Sequence, residues 1–396
     1  MSRDAATIAA RFGVDTDPAH GAVMPPLYLS SNYSFAGFGQ KRRYDYTRSG
    51  NPTRDTLAGA LAELEGGAGG VVTASGMAAI TLLTAQLQPG ELLIAPHDCY
   101  GGSYRLFKAQ AARGLYAIEF VDFGDKAALA AALSRQPKLV WIETPSNPLL
   151  RITDIAATAR LAHAAGALVV VDNTFLSPAL QQPLALGADI VVHSTTKYLN
   201  GHSDVVGGAV IWKDAALGEQ LAWWCNCLGL AGAPFDSYLT LRGLRTLGPR
   251  LAVHQANATA VAELLCAHDA VEKVYFPGLS THPGHTLARK QQRGFGAMLS
   301  LELAGGQAAV EAFVDGLQCF TLAESLGGVE SLVAHPATMT HASMDAAVRQ
   351  RAGISDGLLR LSVGIEAAED LLADIETALA RAQALAAPAR NAAVSL

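Results

Sequence analysis

The chain has 396 residues, half of them apolar and only 16% charged, with a formal net charge of −6. That length allows two domains and a large core. The acidic balance argues against a nucleic-acid binder, which would show a basic face, and the low charge suits a compact enzyme with buried parallel strands or one that hides more surface in an oligomer.

The first segment, Met1 to Gly13, is polar and mixed in charge and does not read as a signal peptide. Up to Pro52 the chain reads as an irregular arm without a steady period, and Tyr28, Tyr33, Tyr44 and Tyr46 set it apart from a disordered terminus. From Arg54 to Gly243 apolar runs alternate with helical patterns. The predicted strands are Gly70–Thr73, Leu92–Ala95, Tyr116–Val121, Lys138–Glu143, Ala167–Val171, Ile190–His193 and Gly208–Trp212. Helices are predicted over Arg54–Leu64, Met77–Leu87, Lys126–Arg135 and Ile155–Ala165. Such alternation means βαβ units and a mainly parallel sheet covered on both faces, with ligands at the carboxyl ends of its strands. A helical run from Leu244 to Ala270 opens a smaller α+β region. It has predicted strands at Lys273–Phe276, Ala297–Leu303 and Leu358–Val363, and helices at Gln307–Asp315 and Ala368–Ala384. The tail, Ala387 to Leu396, is expected to be mobile. The expected domains are therefore an arm (1–52), a large domain (53–245) and a small domain (246–396).

No apolar run is long enough to span a bilayer. Cys99, Cys225, Cys227, Cys266 and Cys319 are scattered and odd in number, which is no disulfide framework. Cys225 and Cys227 have no matching His or Cys pair nearby, so no metal site is expected. These features point to the reducing cytoplasm.

Candidate chemistry gathers at the predicted strand ends. The strand Ala188 to Val192 empties into His193-Ser194-Thr195-Thr196-Lys197. A lysine held partly out of water favours its neutral amine, as an imine-forming lysine requires. The Ser194 and Thr196 hydroxyls suit a phosphate. Asp172 follows the apolar strand Gly166–Val171, where a cationic ring nitrogen would keep its carboxylate ionised; capping of the next helix is the plainer explanation. Pyridoxal phosphate (PLP) wants both an aldehyde partner and a phosphate cradle, and Asp172 and Lys197 fit opposite ends of its ring. Ser75-Gly76-Met77 follows a strand and opens a helix, where free N–H groups attract an anion. Gly66-Gly67-Ala68-Gly69-Gly70 instead precedes a strand and reads as a helix stop. Tyr100 can stack on a ring or simply pack. The Asn147 amide can hold a ring hydroxyl, though turn chemistry also accounts for Ser146-Asn147-Pro148. Arg360, inside an apolar strand pattern, needs an anionic partner: a substrate α-carboxylate or a structural ion pair.

In these motifs the chain resembles the γ-subfamily of fold-type I PLP enzymes of cysteine and methionine metabolism. The resemblance rests on Tyr44-Asp45-Tyr46-Thr47-Arg48-Ser49-Gly50-Asn51-Pro52-Thr53-Arg54, Ser75-Gly76-Met77, Val171-Asp172-Asn173-Thr174, the stretch from Ser194 to Asp204, and the stretch from Ala323 to Ser331. It covers about Ala6 to Ala384. It implies an aspartate aminotransferase-like α/β fold, with a mainly parallel seven-stranded sheet in the large domain and a smaller C-terminal α+β domain. It implies Lys197 as Schiff-base lysine and proton shuttle, Asp172 on the pyridine nitrogen and Tyr100 on the ring, assisting proton transfers. Gly76, Met77, Ser194 and Thr196 would hold the phosphate, joined by Tyr46 and Arg48 from a neighbouring subunit of a homotetramer built from active dimers. Asn147 would approach the ring hydroxyl, and Arg360 with the Ser325 backbone would bind the substrate α-carboxylate.

Within the family, the stretches from Pro96 to Phe107, Trp223-Trp224 and from Gln291 to Ser300 are similar to bacterial members that run γ-replacement. That implies joining O-succinyl-L-homoserine to L-cysteine, giving L-cystathionine and succinate. Glu324 fits γ-replacement or γ-elimination, where β-eliminating members tend to carry an aromatic residue. Ser49 stands where some replacement enzymes have a second arginine and eliminating ones often have serine; Arg105, with Asp45, is the candidate to shape a pocket for the acyl carboxylate. The alternatives are γ-elimination of cystathionine to cysteine, 2-oxobutyrate and ammonia, or a non-catalytic PLP or amino-acid binder. Small-molecule amino acids are the expected substrates, with neither nucleic acid nor membrane as partner.

Overall fold

A computed structural model describes residues 3–342 and 344–386; the tail expected to be mobile lies outside them. The chain divides into two compact units. The first comprises Met1–Thr144, Thr153–Pro249 and Arg289–Arg293, and the second Pro145–Ile152, Arg250–Ala288 and Gly294–Leu396.

Seven strands build the sheet of the first unit: β1 (Gly69–Thr73), β2 (Leu92–Pro96), β3 (Ala117–Val121), β4 (Leu139–Glu143), β5 (Leu168–Asp172), β6 (Ile190–Ser194) and β7 (Gly208–Trp212). Their order is β1-β7-β6-β5-β4-β2-β3. β7 runs antiparallel to both β1 and β6, and the remaining pairs are parallel. The fold class expected from the alternation of apolar runs is therefore the observed one. β2, β4 and β7 are buried along their whole length, as strands covered on both faces must be. One face packs Leu93, Trp141, Val170, Val192 and Val210 against Phe107 and the helix Gly76–Thr84.

Helix boundaries follow local chemistry. Asn51 accepts from the N–H groups of Thr53 and Arg54, and Pro52 occupies the first turn of the helix Pro52–Glu65, which stops at Gly66 with φ 72°. The helix after β1 ends at Thr84, sooner than its predicted end at Leu87. The arm is not wholly irregular: Asp4 caps a helix over Ala5–Arg11.

The second unit holds a sheet of β8 (Val271–Tyr275), β9 (Met298–Leu303), β10 (Thr321–Leu322), β11 (Leu332–Ala334) and β12 (Leu358–Ser362), in the order β10-β11-β12-β9-β8. β10 and β11 escaped sequence reading because neither is long enough to express a period. The second unit also claims Pro145–Ile152, where Ser300 donates to the Pro148 carbonyl and Arg151 to that of Ala352. Residues Arg289–Arg293 side with the first unit, where Gln292 donates to Gln181 and Arg293 to Gln182.

All five cysteines are free. Among the described residues no helix is long and apolar enough to cross a membrane, and no three metal-ligating side chains come together.

Candidate active site

In the first unit, three parallel strands end side by side. Glu143 closes β4 opposite Asp172 of β5, and Asp172 lies opposite Val192 of β6. Asp172 is thus the last residue of its strand rather than the first of a loop. Burial pushes its carboxyl above the ordinary range, while hydrogen bonds from Thr174 and the nearby His193 pull the other way. The Thr174 N–H donates to Asp172 Oδ1 at 3.0 Å, and Thr174 Oγ1 accepts the Ser194 N–H at 2.9 Å. Thr174, absent from the predicted set, therefore ties the end of β5 to that of β6.

Lys197 follows β6 and is half-buried. Its N–H donates to the Ser194 carbonyl, and its own carbonyl accepts from Gly201 at 2.8 Å. The Thr196 hydroxyl donates to the Gly207 carbonyl at 3.2 Å and accepts the Gly207 N–H at 3.0 Å. Its expected duty to a phosphate is thus shared with the backbone just before β7.

The helix Gly76–Thr84 starts against the same strand end. Ser75 caps it by accepting the Ala78 N–H at 3.0 Å. A Cβ on Gly76 would lie 2.9 Å from Ser194 Cβ, closer than carbon atoms pack. Glycine therefore brings the anion-attracting helix start onto Ser194. Tyr100 opens the helix Gly101–Ala112 and is 41% exposed; its backbone N–H donates to Glu143 Oε2 at 2.9 Å. A Cβ on Gly102 would collide with the Tyr100 ring and stand 3.1 Å from Met77 Sδ. Tyr100, Met77, Ser194 and the helix start thus occupy one neighbourhood, and Glu143 is a supporting residue that sequence reading missed.

Under the strand ends lies a further set absent from the sequence reading. Glu65 Oε1 accepts from Asn173 Nδ2 at 2.8 Å and meets His193 Nε2 at 2.6 Å. All three side chains are buried. Their separation in sequence left no local signal.

The arm carries the remaining predicted residues of this unit. Tyr46 is half exposed, with the Arg48 guanidinium 5.6 Å from its ring centroid. Arg48 Nη1 donates to the Asn226 carbonyl and side-chain oxygen of its own chain. Asp45 receives Lys41 at 2.8 Å and the Ser49 hydroxyl at 2.8 Å, which hold its carboxyl down at about 2. Asp45 is therefore satisfied locally, and as an anion it repels rather than attracts an acyl carboxylate. Arg105 projects from the exposed side of the helix Gly101–Ala112.

In the second unit Arg360 sits on β12 and is 4% exposed. Nη1 donates to Asn147 Oδ1 and Nη2 to the Ser325 carbonyl, both at 2.9 Å. The two predicted carboxylate-binding groups and Asn147 thus meet, and these two hydrogen bonds end on neutral oxygens. The Ser325 backbone adopts φ 99°, a region side chains rarely occupy. Glu324 beside it is exposed. His341, not predicted, meets the Asn147 carbonyl through Nε2 at 3.1 Å. Burial and then the nearby Arg360 charge hold its imidazole down at about 4, so it is neutral at physiological pH and donates to that carbonyl.

These residues suit the expected cofactor. A buried carboxylate whose ionisation calls for a cation, a half-buried lysine one strand away and a helix start packed on a serine match a cationic ring, an aldehyde and a phosphate.

Comparison with known proteins agrees. The family model for Cys/Met metabolism PLP-dependent enzymes matches residues 6–380. The cystathionine gamma-synthase of Escherichia coli K12 is 60% identical over 95% of this chain and 98% of its own. The cystathionine beta-lyase of Coxiella burnetii is 48% identical over 93% of this chain and 95% of its own. Cystathionine gamma synthase from Xanthomonas oryzae pv. oryzae, solved with aminoacrylate and cysteine and also with cystathionine, superposes with a TM-score of 0.96 at 66% identity, covering 97% of this chain and 100% of that one. The chain belongs to the Cys/Met metabolism PLP-dependent enzymes, and its cofactor is pyridoxal phosphate.

Proposed function

We propose that the protein catalyses γ-replacement, joining O-succinyl-L-homoserine and L-cysteine to give L-cystathionine and succinate. The likeness to cystathionine gamma-synthases over nearly the whole chain carries this choice of reaction. Bound pyridoxal phosphate supplies an aldehyde for the substrate amine and a ring that takes up electron density from Cα.

The chain's own residues do the rest. With the cofactor bound, the Lys197 amine would carry protons one at a time, taking that of Cα and giving it up before taking one from Cβ, while succinate leaves Cγ with the electron pair of the C–O bond. The cysteine sulfur then bonds to Cγ, and protons return to the carbon chain. Asp172 would stabilise the ring nitrogen's positive charge as an anion. The start of the helix Gly76–Thr84, Met77, Ser194 and Thr196 would hold the phosphate, and Tyr100 would stack on the ring and assist proton transfer. Asn147 would hold the ring hydroxyl. Arg360, whose guanidinium is held in place by the Asn147 side chain and the Ser325 carbonyl, binds the α-carboxylate with Ser325. Glu324 borders the substrate, and Arg105 is the cation for the succinyl carboxylate; Asp45 orients the arm.

The arm 1–52, with 53–245 as the cofactor domain and 246–396 as the small domain, reaches a second copy, to whose phosphate Tyr46 and Arg48 contribute. Exposed Val23, Leu29, Phe35 and Phe38 on the arm support an embrace of that kind. Two such dimers form a tetramer, which works in the cytoplasm.

The test is product analysis with O-succinylhomoserine, with and without cysteine. Cystathionine should dominate when cysteine is present. Equal release of 2-oxobutyrate in both reactions, or turnover of cystathionine alone, would overturn the proposal in favour of γ-elimination.

A further inference from the structure

The buried carboxylate of Glu65 stands apart from the residues assigned above, yet it touches both strand ends that carry them. Asn173 follows Asp172 directly, and His193 precedes Ser194 directly. A single oxygen, Glu65 Oε1, receives the Asn173 amide at 2.8 Å and meets His193 Nε2 at 2.6 Å. The Asn173 side chain also donates to the Gln181 carbonyl, and Gln181 returns a bond to Asn173 Oδ1 at 3.0 Å. Glu65 is 1% exposed, His193 and Asn173 are fully buried, and among the described residues neither Glu65 Oε2 nor His193 Nδ1 has a hydrogen-bond partner. Burying a carboxylate with one oxygen unsatisfied is costly. An apolar pair would fill the space at lower cost in stability, so the polar pair is better explained by what its directional bonds position.

We propose that Glu65 is a positioning residue, whose Oε1 clamps the Asp172 end of β5 to the Lys197 end of β6 and thereby sets the spacing between the two groups that address opposite ends of the cofactor ring. The inference rests on the cofactor-site reading given above and adds a residue to it. A clamp works through hydrogen-bond geometry, not through charge. Glutamine at position 65 offers an oxygen in the same place and should preserve the clamp, whereas alanine removes it.

The experiment compares holoenzyme of the wild type, Glu65→Ala and Glu65→Gln. It reads the induced circular dichroism of the cofactor's visible band, kcat and KM separately, and melting temperature. A control, Asp189→Ala, cuts the carboxylate that accepts the Val169 N–H at the opposite ends of the same two strands. Glu65→Ala should keep the visible band but alter its dichroism, and should lower kcat roughly ten- to hundredfold with little change in KM, as a small misplacement of reacting groups does. Glu65→Gln should restore both. Asp189→Ala should lower the melting temperature while leaving kcat and dichroism unchanged. Should Glu65→Ala fail to fold, Asn173→Ala, which cuts one arm of the clamp, should give the same changes in smaller measure. Unchanged kcat and dichroism in coloured Glu65→Ala, or in Asn173→Ala if that variant stands in for it, would overturn the inference. So would a Glu65→Gln as defective as Glu65→Ala. A wild type without a visible band would instead defeat the cofactor-site reading itself.

Discussion

Replacing Gly76 by alanine tests the cradle at its tightest point. The added methyl would lie 2.9 Å from Ser194 Cβ and 3.2 Å from both Ser194 Cα and Oγ. Carbon atoms pack best at about 3.5–4.0 Å, so one side must yield by several tenths of an ångström. Ser194 is poorly placed to yield: its N–H is spent on Thr174 Oγ1, and its backbone pairs with Gly208 of β7. The start of the helix Gly76–Thr84 should therefore back away, taking its N–H groups with it. Overpacking of this kind costs about 1–3 kcal/mol. With about half of that falling on the phosphate contacts, cofactor affinity should drop about two- to tenfold. The assay is titration of the cofactor-free protein with pyridoxal phosphate, followed at the visible band, beside melting temperatures of both forms. Unchanged affinity together with unchanged melting in Gly76→Ala would refute the reasoning, because the close approach to Ser194 would then carry no energy.

Further expectations bear on the other groups. Lys197→Ala should fold with the wild-type far-ultraviolet spectrum yet lose turnover and the borohydride-sensitive visible band; retained turnover would remove the lysine from its role. Arg360→Lys should raise KM for the acylated homoserine roughly ten- to hundredfold. The single nitrogen of an ammonium cannot reach both places that Nη1 and Nη2 occupy and also grip a carboxylate at two oxygens, and each bond lost from a buried group costs about 1–3 kcal/mol; steady-state kinetics with an unaltered KM would count against it. His341 predicts acid sensitivity. Its imidazole is held down at about 4 against 6.5 for the free group, so the unfolded chain binds the extra proton first. Stability should fall as pH drops from about 6.5 towards 4, by about 3 kcal/mol in full, with nothing further lost below. Urea unfolding across that range should give a shallower slope for His341→Gln, and an identical slope would contradict the assignment.

What the sequence disclosed and what it hid divide along a physical line. β4, β5 and β6 are legible because strands covered on both faces must be continuously apolar, so a polar residue at their ends announces itself; Asp172 and Lys197 are singled out that way. Asn147, Arg360 and Ser325 were legible as members of motifs, and the structure joins them through the guanidinium. Glu65 gave no such sign. It ends an ordinary capped helix, and its partners Asn173 and His193 lie 108 and 128 positions away. Thr174, Glu143 and His341 likewise act through contacts outside any local motif, 20, 43 and 194 positions away. The helix Gly101–Ala112 was overlooked because it opens on two glycines and Tyr100 supplies no side-chain cap. For Asp45 the structure adds a partner that its motif does not announce: Lys41, four residues earlier, meets its carboxylate.

The reversal of β7 has a dynamic consequence for Lys197. Because β7 returns beside β6, the segment bearing the amine is a loop whose two mouths are laced together: the Thr195 N–H bonds the Gly207 carbonyl at 3.0 Å, and the Thr196 hydroxyl takes the Gly207 N–H. The backbone there cannot peel away without unzipping the sheet's interior. Excursions of the amine therefore belong to rotation about its own side-chain bonds rather than to slower segmental motion. In the reaction proposed for it, the amine would therefore leave and regain one carbon by turning its own side chain, with the loop's two ends held in place.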